Sequence, residues 1–266
     1  MNKERIELID SHAHLDGKDF ANDLEEVIER AQKADISTII NIGATDGFLG
    51  AERSLKLAEQ YDMIWCTVGI HPHDARQPSD LARLKELAQH PKVRAIGETG
   101  LDFFKEWSPK EDQYRWFRLQ VELAHELQLP IIIHSRDAAE ECLTVLTEME
   151  AERVGGVFHC FAESADFAAR LHKCNFMVSF PGILTFPKAF AIHEAATQIP
   201  LEQIMLETDS PYLAPVPFRG KRCESAYVRH TAQHLATLKN ESLETIAQIT
   251  TKNARRFYKL PEVNKQ

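Results

Sequence analysis

Eight short runs of apolar, mostly β-branched residues punctuate this chain: 6–10 (IELID), 36–42 (ISTIINI), 63–70 (MIWCTVGI), 93–97 (VRAIG), 129–134 (LPIIIH), 155–159 (GGVFH), 176–180 (FMVSF) and 204–208 (IMLET). Each has the length of a buried strand and is too short for a core helix. Between most of them apolar residues recur at spacing three and four. That pattern predicts amphipathic helices over 23–34, 49–61, 81–89, 114–128, 138–150 and 164–174. Two further helical stretches, 225–239 and 242–260, follow a Pro-rich loop at 210–220. Strands alternating with helices make a parallel sheet. Eight of them, starting about every 25–30 residues, predict an α/β fold, a (β/α)8 barrel of the TIM type occupying 1–266 as one domain. The competing architecture is an open doubly wound sheet, which usually carries a glycine-rich turn after its first strand. Here DSHAHLDG follows that strand, and neither G-x-G-x-x-G nor G-x-x-x-x-G-K-[ST] occurs.

Composition narrows the functional classes. Hydrophobic residues make up 44% and charged ones 27%, which suits a packed protein and excludes a disordered one. Lys plus Arg number 31 against 40 Asp plus Glu, a formal net charge of −9. That disfavours a nucleic-acid coat held by diffuse positive charge, but not an enzyme on phosphates whose bound metals supply the charge locally. No run approaches the roughly 18 apolar residues of a membrane span, and MNKERIELID carries no apolar leader. A cytoplasmic protein without a membrane partner is expected. The five cysteines are odd in number and form no C-x-x-C pair, which fits reduced, buried packing thiols. The unusual feature is 12 histidines.

Polar residues cluster where the apolar runs stop: Asp10, His12 and His14 after the first, Glu98 after the fourth, His134 and His159 at the fifth and sixth, Glu207 and Asp209 at the eighth. Active sites of β/α barrels are built at this C-terminal face. In an extended strand residues i and i+2 share a side, so His12 projects with His14, and Glu207 with Asp209. Imidazoles with carboxylates are ligands for zinc or manganese and, with more oxygen, magnesium. Four histidines and two acids exceed one tetrahedral shell. Two divalent ions (Mg²⁺, Mn²⁺ or Zn²⁺) are therefore expected, with Glu98 bridging them. His90, His125, His172, His193 and His234 lie in or beside helical stretches and read as ordinary residues. Trp107, Trp116, Phe117, Phe103 and Phe104 read as loop anchors or core, and Trp65 as core.

The segments DSHAHLD (10–16), VGIHPH (68–73), IGETGLDFF (96–104), LPIIIHSRDA (129–138), HCF (159–161), SFPGILTF (179–186), ETDSPYLAP (207–215), RGKRCE (219–224) and NARRFY (253–258) together resemble the TatD family of metal-dependent deoxyribonucleases, among the amidohydrolase-like barrels. The resemblance implies one ion on His12, His14, Glu98 and Asp209, and a second on Glu98, His134 and His159. It also implies hydrolysis of DNA phosphodiesters, in some members as a 3′→5′ exonuclease on single strands. The expected partner is thus DNA, single-stranded or at its ends, with no obligate protein partner and a monomeric chain. The expected reaction is in-line attack by metal-bound hydroxide, with Glu98 and Asp209 catalytic. Asp209 holds the water or takes its proton. Glu207 orients a histidine or approaches the ions. Substrate contacts are expected from His71, His73, Arg136, Arg219, Lys221 and Arg222. One departure stands out: the family usually reads Asn-Glu-Pro where this chain has Cys223, Glu224 and Ser225, leaving the backbone beside Glu224 without proline's constraint.

Three other readings use the same cluster. A hydrolase of cyclic amides or lactones often bridges its metals with a modified lysine at the fourth strand, where this chain has Glu98. An aminoacyl ester is a further candidate substrate. A non-catalytic metal-binding scaffold predicts a broken ligand set, and this set is intact.

Overall fold

The computed structural model describes residues 6–77 and 80–261. Its eight strands are β1 (Leu8–Ala13), β2 (Ile36–Gly43), β3 (Ile64–Val68), β4 (Val93–Asp102), β5 (Ile131–Arg136), β6 (Gly156–Phe158), β7 (Phe176–Phe180) and β8 (Ile204–Leu206). They pair in parallel in chain order, β1 through β8. The helices are α1 (Leu24–Lys33), α2 (Phe48–Gln60), α3 (Leu81–Ala88), α4 (Lys110–Leu127), α5 (Ala139–Glu148), α6 (Ala165–Lys173), α7 (Phe190–Gln198), α8 (Val228–Lys239) and α9 (Leu243–Phe257). This is the (β/α)8 barrel expected from the sequence.

Among the helices and strands, α7 and β4 differ from expectation. The helix α7 was not anticipated, because FAIHEAATQ mixes small and apolar residues around its circumference and shows no clear stripe. The fourth strand runs five residues past its predicted end, to Asp102.

Alternate strand residues face inward and build the barrel interior in layers. Ile9, Ile40, Ile132, Val157, Met177 and Met205 form an apolar floor, closed from below by Ala254 and Tyr258. One pleat further along, Ile132 is followed by His134, Val157 by His159 and Met205 by Glu207. The polar layer therefore rests on a dry one. Outward-facing residues form the larger core against the helices. Trp65 departs from the expected core role: it is only partly buried, with the Arg94 guanidinium 4.2 Å from its ring centroid and Lys92 at 4.8 Å. Cys66, Cys142 and Cys223 are buried as expected, while Cys160 and Cys174 are partly exposed.

The seam between β1 and β8 closes the barrel. The Asp209 N–H donates to the His12 carbonyl (2.9 Å), and the His14 N–H to that of Ser210 (2.8 Å). Between them a side chain does the work of a strand. Buried Asp10 accepts the Thr208 N–H at Oδ1 (2.8 Å) and the Thr208 hydroxyl at Oδ2 (2.7 Å). This diversion is why β8 stops at Leu206 rather than at the predicted residue 208. The Tyr258 hydroxyl adds a bond to the Ser11 carbonyl (2.9 Å). Asp10→Ala leaves the buried Thr208 N–H without an acceptor, a cost of about 1–3 kcal/mol. Calorimetry should show a midpoint lowered by about 5 °C. Thr208→Val keeps the N–H bond but takes the hydroxyl from Asp10 and from the buried Ser210 N–H (3.2 Å) and Ser210 hydroxyl (2.7 Å), and should lower the midpoint by a similar amount.

Candidate metal centre

The site starts from the sequence Gly97-Glu98-Thr99-Gly100. The register of β4 against β5 shifts between Ile96 and Thr99, so this stretch bulges. Both glycines have positive φ, 134° and 141°. A Cβ on Gly100 would stand 2.0 Å from the His134 carbonyl oxygen, and one on Gly97 would stand 2.7 Å from that of Ile132. Only glycine lets β4 press this closely on β5. The bulge turns Glu98 into the barrel, where it is 2% exposed.

The two carboxylate oxygens of Glu98 face two donor sets. Oε2 lies 3.5 Å from His12 Nε2 and 3.9 Å from His14 Nε2. Asp209 Oδ1 stands 3.6 Å from His12 Nε2 and 3.4 Å from His14 Nε2, and the two imidazole nitrogens are 3.3 Å apart. Four donors bound at about 2.1 Å to one cation stand about 3.4 Å apart in tetrahedral geometry. The three separations among His12, His14 and Asp209, 3.3–3.6 Å, lie close to that spacing, and Glu98 Oε2 stands 3.5–3.9 Å from the two imidazoles, so the residues present suit a divalent ion.

On the other side, Glu98 Oε1 lies 2.7 Å from both His134 Nδ1 and His159 Nε2, and 3.5 Å from His71 Nε2. His134 Nδ1 is 3.3 Å from His71 Nε2 and 3.5 Å from His159 Nε2. Nitrogen and oxygen donors converge here as well, and this second set also suits a divalent ion.

Supporting carboxylates fix the imidazoles from behind. Asp102 Oδ2 pairs with His134 Nε2 (2.9 Å) and His73 Nε2 (2.8 Å), while Oδ1 accepts the Lys105 and Phe104 N–H groups. Asp102 was not singled out from the sequence. Its signal was faint: it lies four residues beyond Glu98, on the stretch of β4 that the apolar run did not cover. Glu207 Oε1 accepts the Cys160 N–H (2.7 Å) and faces His159 Nδ1 at 3.6 Å. It thus sits behind His159 and away from Asp209, because the chain leaves β8 at Leu206 and Asp209 has a left-handed φ of 57°.

The electrostatics favour a cation. Burial opposes ionisation of Glu98, yet His159, His71, His12 and His134 outweigh it and hold the carboxyl well below its usual range. Asp209 and Asp102 are likewise depressed, burial being outweighed by His14 and His12 at Asp209 and by His134 and His73 at Asp102. Burial also disfavours the His159 imidazolium, but Glu98 and Glu207 outweigh that and raise its pKa well above normal. At His71 burial wins and pushes the pKa down to about 4. A cation binding here displaces imidazole protons, so affinity falls as pH drops.

The remaining expected contacts are placed unequally. His71 is buried inside the second donor set, and His73 lies against Asp102 at the edge of the cluster. Arg136 is exposed, its guanidinium 3.8 Å from the Phe104 ring centroid. Arg219 is exposed over Phe186, and Lys221 is exposed near Phe218. Arg222 is turned away from the donor sets: it ion-pairs with Asp23 ahead of α1 (2.6 Å) and donates to the Asp19 carbonyl. Glu224 is buried and takes both oxygens to Arg30 of α1 (2.7–2.9 Å). The loop is thereby pinned where the usual proline is missing, and Ser225 begins a short 3-10 turn.

A β/α barrel with carboxylate-bridged imidazole sets at its C-terminal mouth defines the class of metal-dependent hydrolases. Within it, the chain belongs to the TatD family: the family model described as TatD related DNase matches residues 9–259. It is 46% identical over 255 residues to a Bacillus subtilis (strain 168) relative named uncharacterized metal-dependent hydrolase YabD, covering 95% of this chain and 99% of that one. A Salmonella typhimurium (strain LT2) relative, 32% identical over 260 residues and 95% and 99% covered, is named 3′-5′ ssDNA/RNA exonuclease TatD. The solved structure of YJJV, a TatD homologue from Escherichia coli K12, superposes with a TM-score of 0.90 at 29% identity, covering 97% of this chain and all of that one. Among the described residues no helix is long and apolar enough to cross a membrane.

Asp102→Asn keeps size but presents an amide to His134 and His73. Titration calorimetry with Zn²⁺ or Mn²⁺ should show affinity weakened roughly 10–100-fold, with the far-ultraviolet dichroism unchanged. Wild-type affinity in this variant removes Asp102 from its supporting role.

Proposed function

We propose that this hydrolase cleaves phosphodiester bonds of DNA from a strand end, as a 3′→5′ exonuclease on single strands. The observation that carries the reading is Glu98, one buried carboxylate offering its two oxygens to two separate donor sets. Such a bridge suits a pair of divalent ions (Mg²⁺, Mn²⁺ or Zn²⁺) on His12, His14, Glu98, Asp209, His134 and His159. A pair of this kind lowers the pKa of water and clamps a phosphoryl oxygen. The name of the Salmonella relative supports the same substrate.

The chain's own residues take distinct roles. Among the carboxylates of the cluster, the Asp209 side chain is the most open to solvent, 14% exposed against 3% for the Glu98 side chain, 1% for that of Glu207 and 0% for that of Asp102. It therefore orients the attacking water and takes its proton. His73, 20% exposed and held by Asp102, faces the leaving oxygen. Arg136, Arg219 and Lys221 supply the positive charge that a chain of net charge −9 otherwise lacks toward a polyanion. Arg222, committed to Asp23, holds the loop.

The decisive assay offers end-labelled single-stranded DNA, duplex DNA, RNA and an amide panel to the purified protein with each metal. Glu98→Gln should lower turnover of single-stranded DNA roughly a thousandfold and reduce bound metal by elemental analysis, with the fold intact. An amide turned over while all DNA survives overturns the reading. Neutralising Arg219 and Lys221 together should raise KM for DNA and flatten the log–log salt slope by about 1.4. An unchanged slope places the DNA path elsewhere.

A further inference from the structure

Among the described residues, the large hydrophobic side chains left exposed are Leu49 (63%), Phe104 (54%), Trp107 (59%), Phe190 (72%), Tyr212 (60%) and Val216 (41%). All six lie on loops or first helical turns that follow β2, β4, β7 and β8, the face carrying the donor sets. Apolar exposure confined to one face of a barrel marks a binding surface.

The rings on this rim have an order. Trp107 packs on His73, ring centroids 4.5 Å apart, and His73 is tied to the cluster through Asp102. Tyr212 stands 6.3 Å from the His14 ring. His73 and His14 belong to opposite ends of the chain of contacts that runs His73, Asp102, His134, Glu98, His14. The Arg136 guanidinium lies 3.8 Å from the Phe104 ring centroid, so Phe104 serves to hold that cation. Lys105 lies 5.9 Å from the Trp107 centroid. Flat rings interleaved with cations match a strand of alternating bases and phosphates.

We propose that Trp107 and Tyr212 are stacking platforms for the two bases on either side of the cleaved phosphodiester, one at each end of the metal cluster. The inference rests on the nuclease reading above and adds a reason for strand selectivity. In a duplex the last base offers only its outer face and the next base offers none, so both rings can be used only by an unpaired end.

The test uses the metal-loaded full chain with the tetranucleotide d(A)4, an abasic tetramer with the same phosphates, and d(A)4 with slowly cleaved phosphorothioate links. Trp107→Ala and Tyr212→Ala should each lower the ratio of kcat/KM for d(A)4 over the abasic tetramer roughly tenfold, through KM. The double variant should lose about 100-fold. Trp107→Phe and Tyr212→Phe keep a ring and should stay within about threefold of wild type. The phosphorothioate strand should quench tryptophan fluorescence in the wild type and not in Trp107→Phe, since Trp116 is buried and Trp65, at the start of β3, lies at the opposite end of the barrel from the donor sets. Equal losses on d(A)4 and the abasic tetramer, or none on d(A)4, overturn the stacking inference while DNA cleavage stands. A rim that instead covers a second copy of the chain gives the no-loss result together with a dimer in sedimentation. A wild type that neither cleaves nor is quenched by any strand overturns the nuclease reading, and the inference with it.

Discussion

A charged carboxylate inside a barrel is expensive to bury unless its partners offset the lost water. Glu98 meets that condition through imidazoles contributed by β1 and the residue just past it, by β5, by the residue after β6 and by the turn after β3. The rest of the mouth follows from this need. The glycines of β4 allow the bulge that aims the carboxylate inward. The apolar floor keeps the layer dry from below, which lowers the local dielectric and strengthens every charge interaction above it.

Around that centre, other carboxylates act one step removed. Asp102 sets the orientation of His134 and His73, Glu207 stands behind His159, and Asp10 holds the seam from which His12, His14 and Asp209 project. The long loop after β8 is fastened to the first helical segment at two points, Arg222 on Asp23 and Glu224 on Arg30. Two residues that read as nucleic-acid contact and as a loosened backbone, Arg222 and Ser225, sit instead in a clamp.

The apolar runs made seven of the eight strand positions readable to within a few residues, because burial on both faces leaves a continuous β-branched signature. His12 and His14 were legible together because strand periodicity is short-range. What was not legible depended on partners distant in sequence or on broken periodicity. The end of β4 was hidden because two glycines interrupt the pattern, and Asp102 was hidden with it. The pairing of Arg222 depends on Asp23, 199 positions away, which no local pattern reports. The helix α7 lacks an apolar stripe. Trp65 looks like core by type but lies against Lys92 and Arg94.

The donor set spans nearly the whole chain: Asp10 and its seam partner Thr208 are 198 positions apart. While the chain is being synthesised, β1 is complete long before Asp209 exists. A half-built barrel therefore has His12 and His14 but no fourth donor to complete their set. Once β8 arrives, a cation that binds the closed barrel and not the open chain adds its binding energy to closure, about 2.7 kcal/mol at a hundredfold excess over Kd. The ion is then a clasp as well as a reagent. Unfinished or frayed copies stay chemically silent, and catalytic competence becomes a report that the last strand has docked.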